Sequence, residues 1–126
     1  MPYKIMMSIV CIVPLIFSLA FVAIPEFFVL QWYPSAEGLA LEIAITHRYD
    51  MAGMLFMVVC FAFLSRNVEG VDNQKAILLG AAIAFSAMCA VIISMPLFRG
   101  IPLSIPPMIA TGTIAALSFW SRSKLS

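Results

Sequence analysis

The residues best equipped for chemistry form one polar run, 46–50 (Thr-His-Arg-Tyr-Asp), beside segments that are otherwise long and apolar. An imidazole, a guanidinium and a carboxylate in close sequence can carry a proton, bind a small ligand or form salt bridges. If the run is helical, Arg48 and Asp50 lie about 200° apart around the axis and cannot face each other. His47 and Asp50, in contrast, share a face with Ile43.

Each charge of this run therefore needs its own partner. Asp50 can pair with His47 on its own helix or with Arg99 of a later loop, whereas Arg48 points toward Glu26 or Glu37 of the first connection or toward lipid phosphate. Charges near membrane depth are costly unless they are paired, hydrated or able to snorkel. Two hypotheses stay open, a salt-bridged cap over the outer helix ends and a ligand-binding or proton-handling site. Both use the same polar cluster: Glu42, His47, Arg48, Asp50 and Arg99.

A metal site is a further hypothesis for the same helix. His47, Met51 and Met54 follow helical spacing, and an imidazole with two thioethers would select Cu(I). Methionine is also a common adaptable apolar side chain in packed cores and on lipid-facing surfaces, with no role in metal binding. The chain has a single histidine, which excludes bis-histidine haem ligation, and its three cysteines form no Cys-x-x-Cys pair. No cofactor is predicted, although a lipid or a quinone would suit the surroundings.

The elements that position these residues follow from composition. Of 126 residues, 63% are hydrophobic and 10% are charged, and the mean hydropathy is +1.08, so a soluble core of this size could not bury the apolar surface. A membrane-spanning helix needs about 20 mostly apolar residues. Four segments qualify, and they predict an all-α integral membrane four-helix bundle forming one domain over 1–126: residues 5–24, 39–65, 74–95 and 103–121.

The basic residues predict the orientation, because lysine and arginine in short loops stay on the cytoplasmic side. Only Arg48 and Arg99 fall on the opposite side from the other five. We therefore expect both termini in the cytoplasm of a multi-pass inner-membrane protein. The outer side then holds the polar run and three acidic residues of the first connection, Glu26, Glu37 and Glu42. A net charge of +1 gives no reason to expect a nucleic acid partner.

Two further patterns concern packing. The aromatic segment 25–38 suits the lipid headgroup region and predicts an interfacial helix or re-entrant turn. Small residues at four-residue spacing, Ala76-Gly80-Ala84 and Gly112-Ala116, permit close helix contact in lipid. These stripes predict helix packing within the chain or a homo-oligomer, and they imply no chemistry.

Several of these features together resemble a known group. Ile24-Pro25-Glu26 ends the first helix, Arg48 is followed by Gly53, and an Arg-Gly-Ile-Pro loop precedes the last helix. This pattern is similar to the uncharacterised branch of the DoxX-like small four-helix membrane proteins. The resemblance implies a four-helix bundle, and some members of that group are subunits of quinone-linked oxidoreductases.

Three functions follow as expectations. The first is a non-catalytic subunit or partner-binding protein of a membrane complex, since the chain has no soluble domain and no nucleophile or redox motif. The second is a small transporter or ligand-binding protein with an outward-facing polar site at His47, Arg48, Asp50 and Arg99. The third is an auxiliary subunit of a quinone-linked oxidoreductase.

Overall fold

A computed structural model describes residues 2–126 and shows an all-α protein. Its helices are α1 (Tyr3–Ala23), α2 (Pro25–Trp32), α3 (Gly38–Ser65), α4 (Val71–Arg99) and α5 (Ile105–Lys124). Three of them, α1, α3 and α4, are long and apolar enough to cross a membrane. The last turn of α5 carries Arg122 and Lys124, and α5 is not among these three.

The helix bounds depart from the predicted segments mainly around the prolines. The predicted third segment, 74–95, is longer in the structure, because α4 continues through Pro96 to Arg99 and ends at Gly100 with φ +63°. The predicted fourth segment, 103–121, begins later. Pro106 lies in the first turn of α5, where a missing N–H costs no intrahelical hydrogen bond. The aromatic connection contains α2, which starts on Pro25.

The four long helices contact one another in the order α3–α1–α5–α4. The extensive contacts join α1 to α3 and α4 to α5, and the two pairs meet where α1 touches α5. Within residues 2–126, α3 and α4 do not form a packed pair although they are consecutive in the chain. The short helix α2 lies against α3 and also touches α1.

Side-chain hydrogen bonds to backbone carbonyls fix the register between α1 and α3. The bonds run from Tyr3 Oη to Ser65 O (2.8 Å), from Cys11 Sγ to Val59 O (3.7 Å) and from Ser18 Oγ to Ala52 O (2.8 Å). Residue numbers fall on α3 as they rise on α1, so the helices are antiparallel. Continued by one more turn, this register sets Phe21 opposite Arg48.

The apolar core lies at the other end of the molecule, near the two termini. All four long helices contribute buried residues to it: Tyr3, Met6, Met7, Val10, Ala62, Leu78 and Ile114. Gly112 lies at the α4–α5 contact, where a Cβ would be at an ordinary van der Waals distance of 3.5 Å from Cys89 Sγ and a longer side chain would have to displace its neighbours. Gly80 faces open space, with no atom within 4 Å of such a Cβ. The Ala76-Gly80-Ala84 stripe is therefore unused within the chain.

Candidate functional site

Arg48 is buried inside a cage of aromatic rings. It retains 6% exposure, and its guanidinium carbon lies 5.0 Å from the centroid of Trp32 and 5.6 Å from that of Phe21. Its Nη1 donates a hydrogen bond to Met51 Sδ at 3.1 Å. Three helices thus meet at this one cation: α3 supplies Arg48, α1 supplies Phe21 and α2 supplies Trp32.

The local sequence explains how the cage closes. The chain leaves α1 at Ile24 and starts α2 at once on Pro25, so α2 turns back over the end of α1. Phe28 and Trp32 are four residues apart and share a face of α2. Phe28 packs edge-on against Phe21 with ring centroids 4.9 Å apart. Phe21 is in turn 6.2 Å from Phe17, which extends the aromatic contacts along α1.

The predicted salt-bridged cap does not form. Among residues 2–126 the structure contains no ion pair within 4.0 Å, and Arg48 Nε is buried without a hydrogen-bond partner. Glu26 and Glu37, the two acidic residues expected to pair with Arg48, are both exposed. Each aromatic contact offsets about 0.5–2 kcal/mol of the free-energy cost of burying the guanidinium. Aromatic faces thus occupy the place where carboxylates were expected.

The remaining polar residues of α3 line a separate surface, which we call the outer groove. This groove has a volume of about 880 Å³ and lies between the turn after α2 and the first part of α3. Its lining comprises Tyr33, Ser35, Ala36, Leu39, Ala40, Glu42, Ile43, Ala44, Thr46, His47 and Asp50. The structure therefore brings together Glu42, His47 and Asp50, and it separates them from Arg48.

Arg99 belongs neither to the outer groove nor to the aromatic cage around Arg48. It is exposed in the last turn of α4, and it lines neither the outer groove nor the cage around Arg48. The five residues of the predicted polar cluster accordingly fall into three locations. Only the groove gathers several of them, and there the side chains of Glu42, His47 and Asp50 are exposed.

The proposed Cu(I) ligands do not converge. Met51 directs its sulfur at the Arg48 cation, Met54 is 63% exposed, and His47 lies in the groove. A second cation at the Met51 sulfur would be repelled by the guanidinium. In the part of the chain that the structure describes, no group of three histidine, cysteine or acidic residues could hold a metal ion.

The two aromatic partners of Arg48, Phe21 and Trp32, were not predicted from the sequence. The available signal was the aromatic pair 28 and 32 at helical spacing, directly after a helix that itself ends in aromatic residues. Chemically, the cage holds one cation rigidly, whereas the groove presents two carboxylates and an imidazole to an incoming molecule.

Comparisons with protein family models, with curated proteins and with solved structures found no match.

Proposed function

We propose that this chain is a non-catalytic subunit of a membrane complex and that it binds a polypeptide partner through the outer groove. The observation that carries the proposal is the groove itself, which is open, has a volume of about 880 Å³, and combines apolar walls with exposed charged side chains. Leu39 and Ile43 are 70% and 61% exposed. Large apolar side chains on an open surface beside charged groups are typical of interaction sites.

The shape of the groove favours a polypeptide over a small molecule. It extends along α3 from Leu39 to Asp50, which is about 17 Å at 1.5 Å per residue. Small-molecule sites enclose most of the ligand surface, whereas an amphipathic helix lays one face into an open groove. A partner helix with apolar residues and a basic edge would complement Leu39, Ile43, Glu42 and Asp50.

The same proposal includes a topology of four spans with both termini in the cytoplasm of an inner membrane. It is supported by the contacts of α5, which packs along α4 and places Ile114 in one core cluster with Met6 of α1. The 28 residues of α3 extend about 42 Å, which exceeds a hydrocarbon core of about 30 Å. The surplus turns carry the groove beyond the lipid.

A second candidate function is a transporter or ligand-binding protein that uses the same groove. The observation in its favour is that Glu42, His47 and Asp50 line one groove and make no ion pair among residues 2–126. The DoxX-like resemblance supports a third, an auxiliary subunit of a quinone-linked oxidoreductase. The partner-binding function accounts better for the open shape and for the exposed leucine and isoleucine.

Photo-crosslinking in native membranes tests the proposal. A photoreactive amino acid replaces Ile43 in the groove, and the matched control replaces Ile16 on α1, which is exposed to a similar extent (61% and 59%). We expect a discrete protein adduct of defined mass from position 43 and only lipid adducts from position 16. Lipid adducts alone at both positions would contradict partner binding, and a small-molecule adduct at position 43 would favour the second function.

A further inference from the structure

A second cavity lies at the same end of the molecule, between the end of α2 and the start of α5. We call it the α2–α5 cleft. Its volume is about 270 Å³, and its lining consists of Gln31, Trp32, Leu103, Ser104, Ile105 and Pro106. None of these six residues is acidic. The cleft shares no lining residue with the outer groove, so an inference about it does not depend on partner binding.

Ser104 is the first indication of a ligand. It is 8% exposed, and its hydroxyl makes no hydrogen bond to any residue in the range 2–126, although it occupies the N-cap position of α5. The Oγ atom itself stays accessible, and a hydroxyl without a protein partner is free to donate a hydrogen bond to a ligand. Since Ser104 lines the cleft, a ligand there can accept this bond.

The electrostatics of the cleft favour an anion. The N-terminal end of the 20-residue helix α5 lies at the cleft, and the positive end of a helix dipole attracts negative charge. Pro106 has no N–H, so the donors at this helix end are the hydroxyl of Ser104 and the first-turn amide of Ile105. The carboxamide of Gln31, which also lines the cleft, is a further possible donor. Trp32 is shared with the Arg48 cage, where a buried guanidinium lies 5.0 Å from its ring without a carboxylate partner.

The walls of the cleft favour an amphiphile over a free ion. Leu103 and Ile105 are 40% and 55% exposed, which leaves apolar surface beside the polar donors. Trp32 is of the residue type that concentrates at the headgroup level of membranes. From these observations we propose that the α2–α5 cleft binds the phosphate-bearing headgroup of an anionic membrane lipid, with the acyl chains lying against Leu103 and Ile105.

Native mass spectrometry of the full chain in detergent tests this proposal. The chain is titrated with phosphatidylglycerol and, separately, with phosphatidylcholine, and the bound fraction is measured for the parent chain, Ser104→Ala and Ser94→Ala. Ser94 is the control because its hydroxyl already bonds to Val91 O within α4. Circular dichroism verifies that each variant retains its helices.

We expect phosphatidylglycerol to bind more tightly than phosphatidylcholine. Loss of one hydrogen bond should weaken phosphatidylglycerol binding by about threefold to tenfold in Ser104→Ala, with no change in Ser94→Ala. Equal binding of the two lipids, or equal behaviour of the two serine variants, would overturn the proposal. A competing arm adds inorganic phosphate. Displacement of the lipid by phosphate alone would show that the cleft takes free phosphate and would refute the lipid assignment.

Discussion

The aromatic cage around Arg48 predicts a measurable coupling between Arg48 and Trp32. Arg48 is 6% exposed, and its guanidinium carbon lies 5.0 Å from the indole centroid of Trp32. Tryptophan is the strongest cation–π partner, so we expect a coupling free energy of about 1–2 kcal/mol. Phe21 is a weaker type of partner and lies farther away, at 5.6 Å, which sets its expected coupling at about 0.5–1 kcal/mol.

A double-mutant cycle isolates the coupling free energy between Arg48 and Trp32. The free energy of unfolding is measured in detergent micelles by helical circular dichroism for the parent chain, Arg48→Met, Trp32→Leu and the double variant. The cycle cancels the apolar area that Trp32→Leu removes by itself. A control cycle pairs Trp32→Leu with Arg66→Met, since Arg66 is exposed and lies at the far end of α3.

The control cycle should be additive to within about 0.5 kcal/mol. A coupling between Arg48 and Trp32 no larger than that of the control would refute the cage as the structural basis for burying Arg48. A large coupling in the control cycle would show instead that Trp32→Leu perturbs the whole fold.

Three further predictions concern helix packing and use the same unfolding measurement. Ser18→Ala removes a buried hydrogen bond between α1 and α3 and should cost about 0.5–1.5 kcal/mol, whereas Ser86→Ala, at an exposed position, should be nearly neutral. Gly112→Leu overpacks the α4–α5 contact and should cost about 1–3 kcal/mol, whereas Gly80→Leu should not be destabilising, because its surroundings are open. Leu78→Ala empties a fully buried core position and should cost about 2–5 kcal/mol.

Each of these predictions has an opposing outcome. Equal effects of the two serine substitutions would show that the bond from Ser18 does not fix the helix register. A destabilising Gly80→Leu would place that face of α4 in a packed contact, either within the chain or with a second copy. A neutral Leu78→Ala would mean that the core at the terminal end is loosely packed and that α4 is held by other contacts.

The sequence predicts those features that depend on local patterns. Long apolar runs define α1, α3 and α4, because a spanning helix leaves a continuous compositional signal. The start of the last helix was predicted at residue 103 and lies at Ile105, because Pro106 lacks an N–H and fits the first helical turn. Helical spacing was sufficient to anticipate that His47 and Asp50 lie on one face and that Arg48 lies on another.

The environment of Arg48 depends instead on contacts between distant segments. Its burial requires the antiparallel register of α1 and α3, which sets Phe21 opposite it, and the return of α2, which adds Trp32. Neither follows from spacing along one helix. An expectation based on charge alone selects carboxylate partners, because it does not count aromatic faces as partners for a cation. Arg99 was expected beside Asp50 for the same reason. Among residues 2–126, α3 and α4 do not form a packed pair, although they are consecutive in the chain.

The most direct test of partner binding is the mass of the particle released from native membranes. The full chain is extracted from native membranes directly into lipid nanodiscs, without detergent. The mass of the released particle is measured by native mass spectrometry for the parent chain and for an Ile43→Arg variant. Arginine at this position introduces a bulky charge among the apolar residues of the groove. We predict that the parent chain is released as a complex heavier than one chain and that the variant is released alone. A parent chain released as a single copy, or a complex that the variant leaves intact, would contradict the proposal that the outer groove binds a polypeptide.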